Sequence, residues 1–141
     1  MKVVALKFPS KAVLWVLFLC AGAFSQQFRC FESQGRKTPI QLQFNFPGDG
    51  QKSASVAYRK GIGSIEVKQV SEKEIEDGPE DRPSLIRTVW QESVPGGKGG
   101  RYEMDTQGAV VYRMEYKRAD GKKFSFQEID SVVGDKGCEW K

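Results

Sequence analysis

AVVYRMEYKRADGKKFSFQEI, residues 109–129, is the stretch on which the reading of this chain turns. Val110, Tyr112, Met114 and Tyr116 recur at every second position, Asp120-Gly121 follows, and Phe124 and Phe126 resume the same spacing. A period of two is that of a strand whose successive side chains point to opposite faces. Asp-Gly between two such runs is a strong hairpin signal, because both residues accept the positive φ of a tight turn. Residues 109–118 and 122–129 are therefore expected to pair antiparallel.

The same alternation extends upstream. In Ile40-Gln41-Leu42-Gln43-Phe44-Asn45-Phe46 the apolar residues share one face and the amides the other, and Pro47-Gly48-Asp49-Gly50 ends the run with turn chemistry. Phe28–Ser33, Ser53–Tyr58, Ile62–Val70, Leu85–Val94 and Arg101–Met104 read as further strands, Leu85–Val94 being rich in β-branched and aromatic residues. No helical stripe competes with them: Val70–Asp77 is densely charged and stops at Gly78-Pro79, which suits a loop or a single turn. Two segments read as loops, the acidic, proline-bearing Ser71–Ser84 and the glycine-rich Pro95–Gly100. The expected fold class is all-β: an antiparallel meander of about eight strands forming a small barrel or a sandwich.

The opening of the chain is of another kind. Lys2, Lys7 and Lys11 precede the apolar run Ala12–Ala23, with small residues before a polar stretch, which is the order of a secretory signal peptide. The run is roughly half of the ~20 residues a permanent transmembrane helix needs. Residues 1–25 are thus expected to be a cleaved leader, with cleavage after Ala23 or Ser25, and residues 26–141 one β domain. Cys20 raises lipoprotein anchoring, but Leu19 stands where that pathway normally has a small residue. Removal of the leader also removes three of the 22 basic residues and none of the 18 acidic ones. The remaining domain carries almost no net charge, so bulk charge gives no case for nucleic-acid binding.

Only Cys30 and Cys138 lie beyond the leader, one near each end of the domain. In an exported protein an isolated pair reads as a disulfide, here joining the first and last segments. Closing a loop of that length stabilises by roughly 4–5 kcal/mol in chain-entropy models.

The chemistry is bounded mainly by what is missing. With no histidine in the chain, imidazole-based serine or cysteine hydrolysis is excluded, together with the commonest zinc sites. Gly97-Lys98 lacks the upstream glycine of a phosphate-binding loop and is followed by Gly99 instead of Ser or Thr. Gly61-Ile62-Gly63 has neither the third glycine nor the helix of a dinucleotide fingerprint. Glu72, Glu74, Glu76, Asp77, Glu80 and Asp81 offer oxygen ligands for calcium but not EF-hand spacing, and such clusters are usually solvated. Glu103, Asp105, Glu115 and Glu128 are the carboxylates that a glycosidase reading would need to pair. No catalytic residue, metal ligand or cofactor site is expected.

Trp90, Arg101, Tyr102, Tyr112, Arg113 and Tyr116 are of the types that dominate protein-interface hot spots, although alternation also fits these aromatics to a core.

Phe28-Arg29-Cys30, the strand Ile40–Phe46, and Gly99-Gly100-Arg101-Tyr102 resemble the bacterial periplasmic lysozyme inhibitors. That family implies a leader, a small barrel of about eight strands and a disulfide joining an early to a late strand. Its inhibitory loop carries a Ser-Gly-x-x-Tyr stretch, to which Gly100-Arg101-Tyr102 would correspond, with Gly99 in the serine's place. The chain departs from the family in the Ser71–Ser84 loop and shows no further family signature downstream of Tyr116.

The expected function is that of a non-enzymatic binding protein of the cell envelope, periplasmic or alternatively secreted. Its partner would be a protein, such as a lysozyme-like hydrolase whose cleft receives Lys98–Tyr102. Lys98, Gly100, Arg101 and Tyr102, with Trp90 and Arg113, are the expected partner-binding residues. The alternatives are an immunity protein against a delivered toxin and a barrel holding an apolar ligand among Phe44, Phe46, Phe124 and Phe126.

Overall fold

Period-two strands joined by short turns have one natural way to bury an apolar face without leaving edges, and the computed structural model takes it. It describes residues 27–46, 48 and 52–141, with only the backbone of Lys98. The expected leader, Cys20 included, and the turn at Pro47–Gly50, apart from Gly48, fall outside the described residues. Eight antiparallel strands follow one another around a closed barrel: β1 (Gln27–Ser33), β2 (Gln41–Phe46), β3 (Ser53–Tyr58), β4 (Ile65–Glu76), β5 (Leu85–Val94), β6 (Gly97–Gln107), β7 (Val110–Lys117) and β8 (Lys123–Glu128). Closure comes from β1 against β8, where Phe31, Glu32 and Ser33 face Glu128, Gln127 and Phe126. Of the barrel and sandwich readings, the barrel is the one adopted.

The inward row fills the barrel with side chains. Phe31, Leu42, Phe44, Val56, Val67 and Tyr102 have no exposed surface, and Trp90, Met104, Met114 and Phe126 are nearly as buried. Phe44 stacks on Phe46 at 4.7 Å between ring centroids and meets Trp90 and Tyr102 edge-on at 5.6 and 5.7 Å. The rings that an apolar ligand would have to part are therefore packed on one another, in the arrangements aromatic pairs favour.

Cys30 points opposite to Phe31, toward the outside of the wall, yet it is fully buried because the C-terminal segment covers it. After β8 the chain makes a single 3-10 turn at Asp130–Val132, bridges Val133 to Cys138, and bonds Cys30 to Cys138 with 5.8 Å between Cα atoms. The Cys138 amide donates to Gln43 Oε1 at 2.7 Å, so the segment is fixed to β2 as well as to β1.

Three expectations are corrected. The loop read at Ser71–Ser84 is strand as far as Glu76, because Leu85–Val89 of β5 pairs with it, and only residues 77–84 connect the two strands. The glycine-rich loop at Pro95–Gly100 shrinks to Pro95-Gly96, since Val94 pairs with Gly97 and Gly96, at φ +80°, makes the turn. The strand read from Ile62 starts at Ile65.

A register shift also overturns the simple alternation of β7. Asp105 faces Arg113 while Thr106 faces Val111, so Tyr112 is the extra residue of a bulge. Val110 and Tyr112 consequently lie outside, 52 % and 63 % exposed, although they share the parity of the buried Met114.

Candidate functional site: the basic end of the barrel

In an up-and-down barrel alternate connections fall at the same end. Residues 34–40, 59–64, 95–96 and 118–122 are the four connections of one end, and they hold six basic residues (Arg36, Lys37, Arg59, Lys60, Arg118, Lys122) against one acidic, Asp120. At the other end, the far half of β4 and residues 77–84 hold Glu72, Glu74, Glu76, Asp77, Glu80 and Asp81 against Lys73 and Arg82. The near-zero net charge of the domain conceals a barrel that is basic at one end and acidic at the other.

Just inside the basic end sits a buried carboxylate. Glu92 is 7 % exposed, and its oxygens accept from the Tyr102 hydroxyl at 2.9 Å, the Gly100 amide at 2.8 Å and the Tyr116 hydroxyl at 3.3 Å. Tyr58 extends the chain of hydroxyls by meeting Tyr102 at 2.5 Å. Burial pushes Tyr58 up to about 12, and burial beside Glu92 and the neighbouring phenols raises Tyr102 and Tyr116 as well, so all three serve as neutral donors at neutral pH. Gly99 and Gly100 make room for this group. A Cβ on Gly99 would lie 2.6 Å from the Cβ of Glu92, and one on Gly100 would lie 2.3 Å from the Tyr116 ring. These glycines are there for close packing, not for a mobile loop.

On the outer wall beside this cluster, Gln91, Gly99, Arg101, Lys117, Arg118 and Ala119 line a groove of about 370 Å³. Gln91 organises it. Its amide nitrogen donates to the carbonyls of Gly99 and Gly100 at 2.8 and 3.0 Å, and its oxygen accepts from Arg101 Nε at 2.8 Å. Among the described residues the two terminal nitrogens of Arg101 have no partner, so the fork is oriented at its base and open at its tip.

The expected binding residues separate accordingly. Arg101 is exposed on the wall. Tyr102 and Trp90 are core residues, with Trp90 Nε1 unpartnered among the described residues. Gly100 is buried, and the side chain of Lys98 is outside the described residues. Tyr102 cannot pack against a partner, because the next residue on a strand after an outward Arg101 must point inward. Arg113 is engaged in a ladder of ions across the outer wall, donating to Glu103 at 2.6 Å, while Arg87 grips Asp105 with two bonds of 2.7 and 2.8 Å. Glu115 lies between Arg113 and Lys123 at 3.4 and 3.7 Å, and Arg29 reaches both oxygens of Glu128 at 2.9 and 3.1 Å. All four carboxylates considered for acid–base chemistry thus face cations.

The ladder carries a pH dependence. The Arg87 guanidinium, aided by Arg113, holds the Asp105 carboxyl below the usual carboxylate range. A depressed folded-state value means that the stabilisation is present above the unfolded value near ~4 and is lost as pH falls through the folded one. Asp105→Asn is expected to cost roughly 1–2 kcal/mol at neutral pH, less than a buried pair because Arg87 is partly exposed. The variant should also show a shallower decline in melting temperature on acidification; an unchanged acid limb would remove Asp105 from the account.

Glu92 and the charge asymmetry were missed by the sequence reading. The first leaves a signal, a carboxylate two residues beyond Trp90 at an inward parity. The second becomes readable only once strands are counted and alternate connections are summed.

Among the described residues no group of three or more His, Cys, Asp or Glu is placed to hold a metal ion, and no helix is long and apolar enough to cross a membrane. The fold and its surface define a disulfide-bonded, eight-stranded antiparallel barrel with one basic end. No family model, no curated protein and no solved structure matches the chain.

Proposed function

We propose that this is an exported, non-enzymatic binding protein of the cell envelope that acts in the periplasm and blocks a lysozyme-like hydrolase by presenting Arg101 to its cleft carboxylates. The observation that carries the reading is the state of Arg101: Nε is tied to Gln91, the terminal nitrogens have no partner among the described residues, and Lys117 adds positive charge to the same groove, where Arg118 is paired with Asp120 at 3.0 Å. A guanidinium fixed at one edge loses little conformational freedom when it takes a carboxylate in a two-bonded fork. The paired carboxylates of a glycosidase cleft, roughly 5 to 9.5 Å apart, are matching targets. Tyr102 acts from behind the strand, where its bond to Glu92 helps hold Gly100 and the base of the groove.

Inhibition of a panel of lysozymes by the purified, oxidised protein tests the reading. Arg101→Glu is expected to weaken inhibition by roughly 100-fold, the scale of losing and reversing one desolvated charge contact. Tyr102→Phe should lower stability and leave inhibition nearly intact. Inhibition that survives Arg101→Glu, or no inhibition of any lysozyme, would sink the proposal.

A further inference from the structure

Ile62 is 107 % exposed, at the tip of the β3–β4 connection Arg59–Ser64, with a glycine on each side and Lys60 two residues before it. Gly63 holds φ +71°, which keeps the tip turned. An isoleucine held this far into water gains nothing from the barrel. Its surroundings are cationic, and at the neighbouring mouth Arg36 and Lys122 both lie over the Phe124 ring, 5.4 and 5.3 Å from its centroid. Among the described residues Arg36, Lys37, Lys60 and Lys122 take part in no ion pair.

We propose that this end of the barrel docks on an anionic lipid bilayer, with Ile62 inserted among the headgroups and Arg36, Lys37, Lys60 and Lys122 set against lipid phosphates. Cations alone would suit any polyanion; the apolar tip selects a surface that has an apolar layer beneath its charge. Each cation near an anionic membrane is worth roughly five-fold in affinity, and burying an isoleucine adds roughly ten-fold or more. The acidic half of β4 and residues 77–84 lie at the opposite end, so repulsion from the same surface orients the barrel with its basic end down. None of the residues invoked belongs to the Arg101 groove, which makes this inference independent of the inhibitor reading.

Co-sedimentation of the oxidised, exported protein with vesicles of phosphatidylcholine, alone or mixed with phosphatidylglycerol, at about 0.1 M salt is the test. Binding is expected to the mixed vesicles only. Ile62→Ser should weaken it roughly ten-fold, and combined Arg36→Gln, Lys37→Gln and Lys60→Gln on the order of a hundred-fold. The substituted side chains are exposed, so the fold should be retained, with at most a small shift in midpoint from loss of the Arg36–Phe124 contact, and a circular dichroism melt checks this. No binding to the mixed vesicles overturns the proposal. It is equally overturned if Ile62→Ser binds them unchanged while the triple variant loses vesicles and immobilised heparin alike, which would assign the end to a soluble polyanion.

Discussion

Replacing Cys30 and Cys138 together by alanine is expected to cost roughly 4–5 kcal/mol of stability, the chain-entropy value for a loop of this length. The bond spans a sequence separation of 108, nearly the whole described chain. It also acts where the barrel is weakest. β1 pairs with β2 along Gln27–Glu32 but with β8 along the shorter Phe31–Ser33, extended by one backbone bond at each end (Gln34 N to Ser125 O and Ile129 N to Cys30 O), so the closing seam gains from the C-terminal segment being held over β1. Domains of this size are stable by about 5–15 kcal/mol, so the loss is a large fraction of the total. Denaturant unfolding of the variant, and of the native protein with and without reductant, measures it. A drop below about 1 kcal/mol would show that the seam holds without the covalent link, in contradiction of the entropy argument.

Gly100→Ala is expected to cost roughly 2–4 kcal/mol, combining overpacking with the loss of a buried hydrogen bond. The added methyl would fall 2.3 Å from Tyr116 Cε2 and 2.4 Å from its hydroxyl. The ring has little freedom to yield, because it is stacked 4.6 Å from Tyr102 on one side and 6.3 Å from Phe124 on the other. Moving it also breaks its bond to Glu92. Gly97→Ala, three residues earlier on the same strand, meets nothing within 4 Å and provides the control. It should be neutral or slightly stabilising, since alanine restricts the unfolded chain more than glycine does. If the two variants melt together, the glycines are not packing residues and the organisation of the Arg101 groove loses its support.

Much of the fold was legible locally. Leu85–Val94 and Ser53–Tyr58 are strands with the bounds that composition and turn residues suggest, and Asp120-Gly121 makes its turn with Asp120 Oδ1 accepting from the Lys122 amide at 3.0 Å. The candidate site was less legible. The pattern groups Tyr102 and Trp90 with Arg101 because interface and core draw on the same aromatic types, whereas the structure exposes Arg101 and buries the two aromatics. The ion ladder around Arg113 was invisible, since Arg87, Asp105 and Arg113 meet only across three strands. Charged Ser71–Glu76 reads as loop because its pairing partner, Leu85–Val89, lies beyond an eight-residue connection.

The sequence by itself determined the all-β class, most strand bounds, and the joining of Cys30 to Cys138, because period-two alternation, turn chemistry and an isolated cysteine pair are local or unique features. The tertiary structure alone decided that Tyr112 faces out and Tyr102 in, that Glu92 lies among three tyrosines, and that the charges divide between two ends. The physical reason is closure: bulges reset which face a residue takes, and only a counted, closed ring of strands fixes which connections share an end.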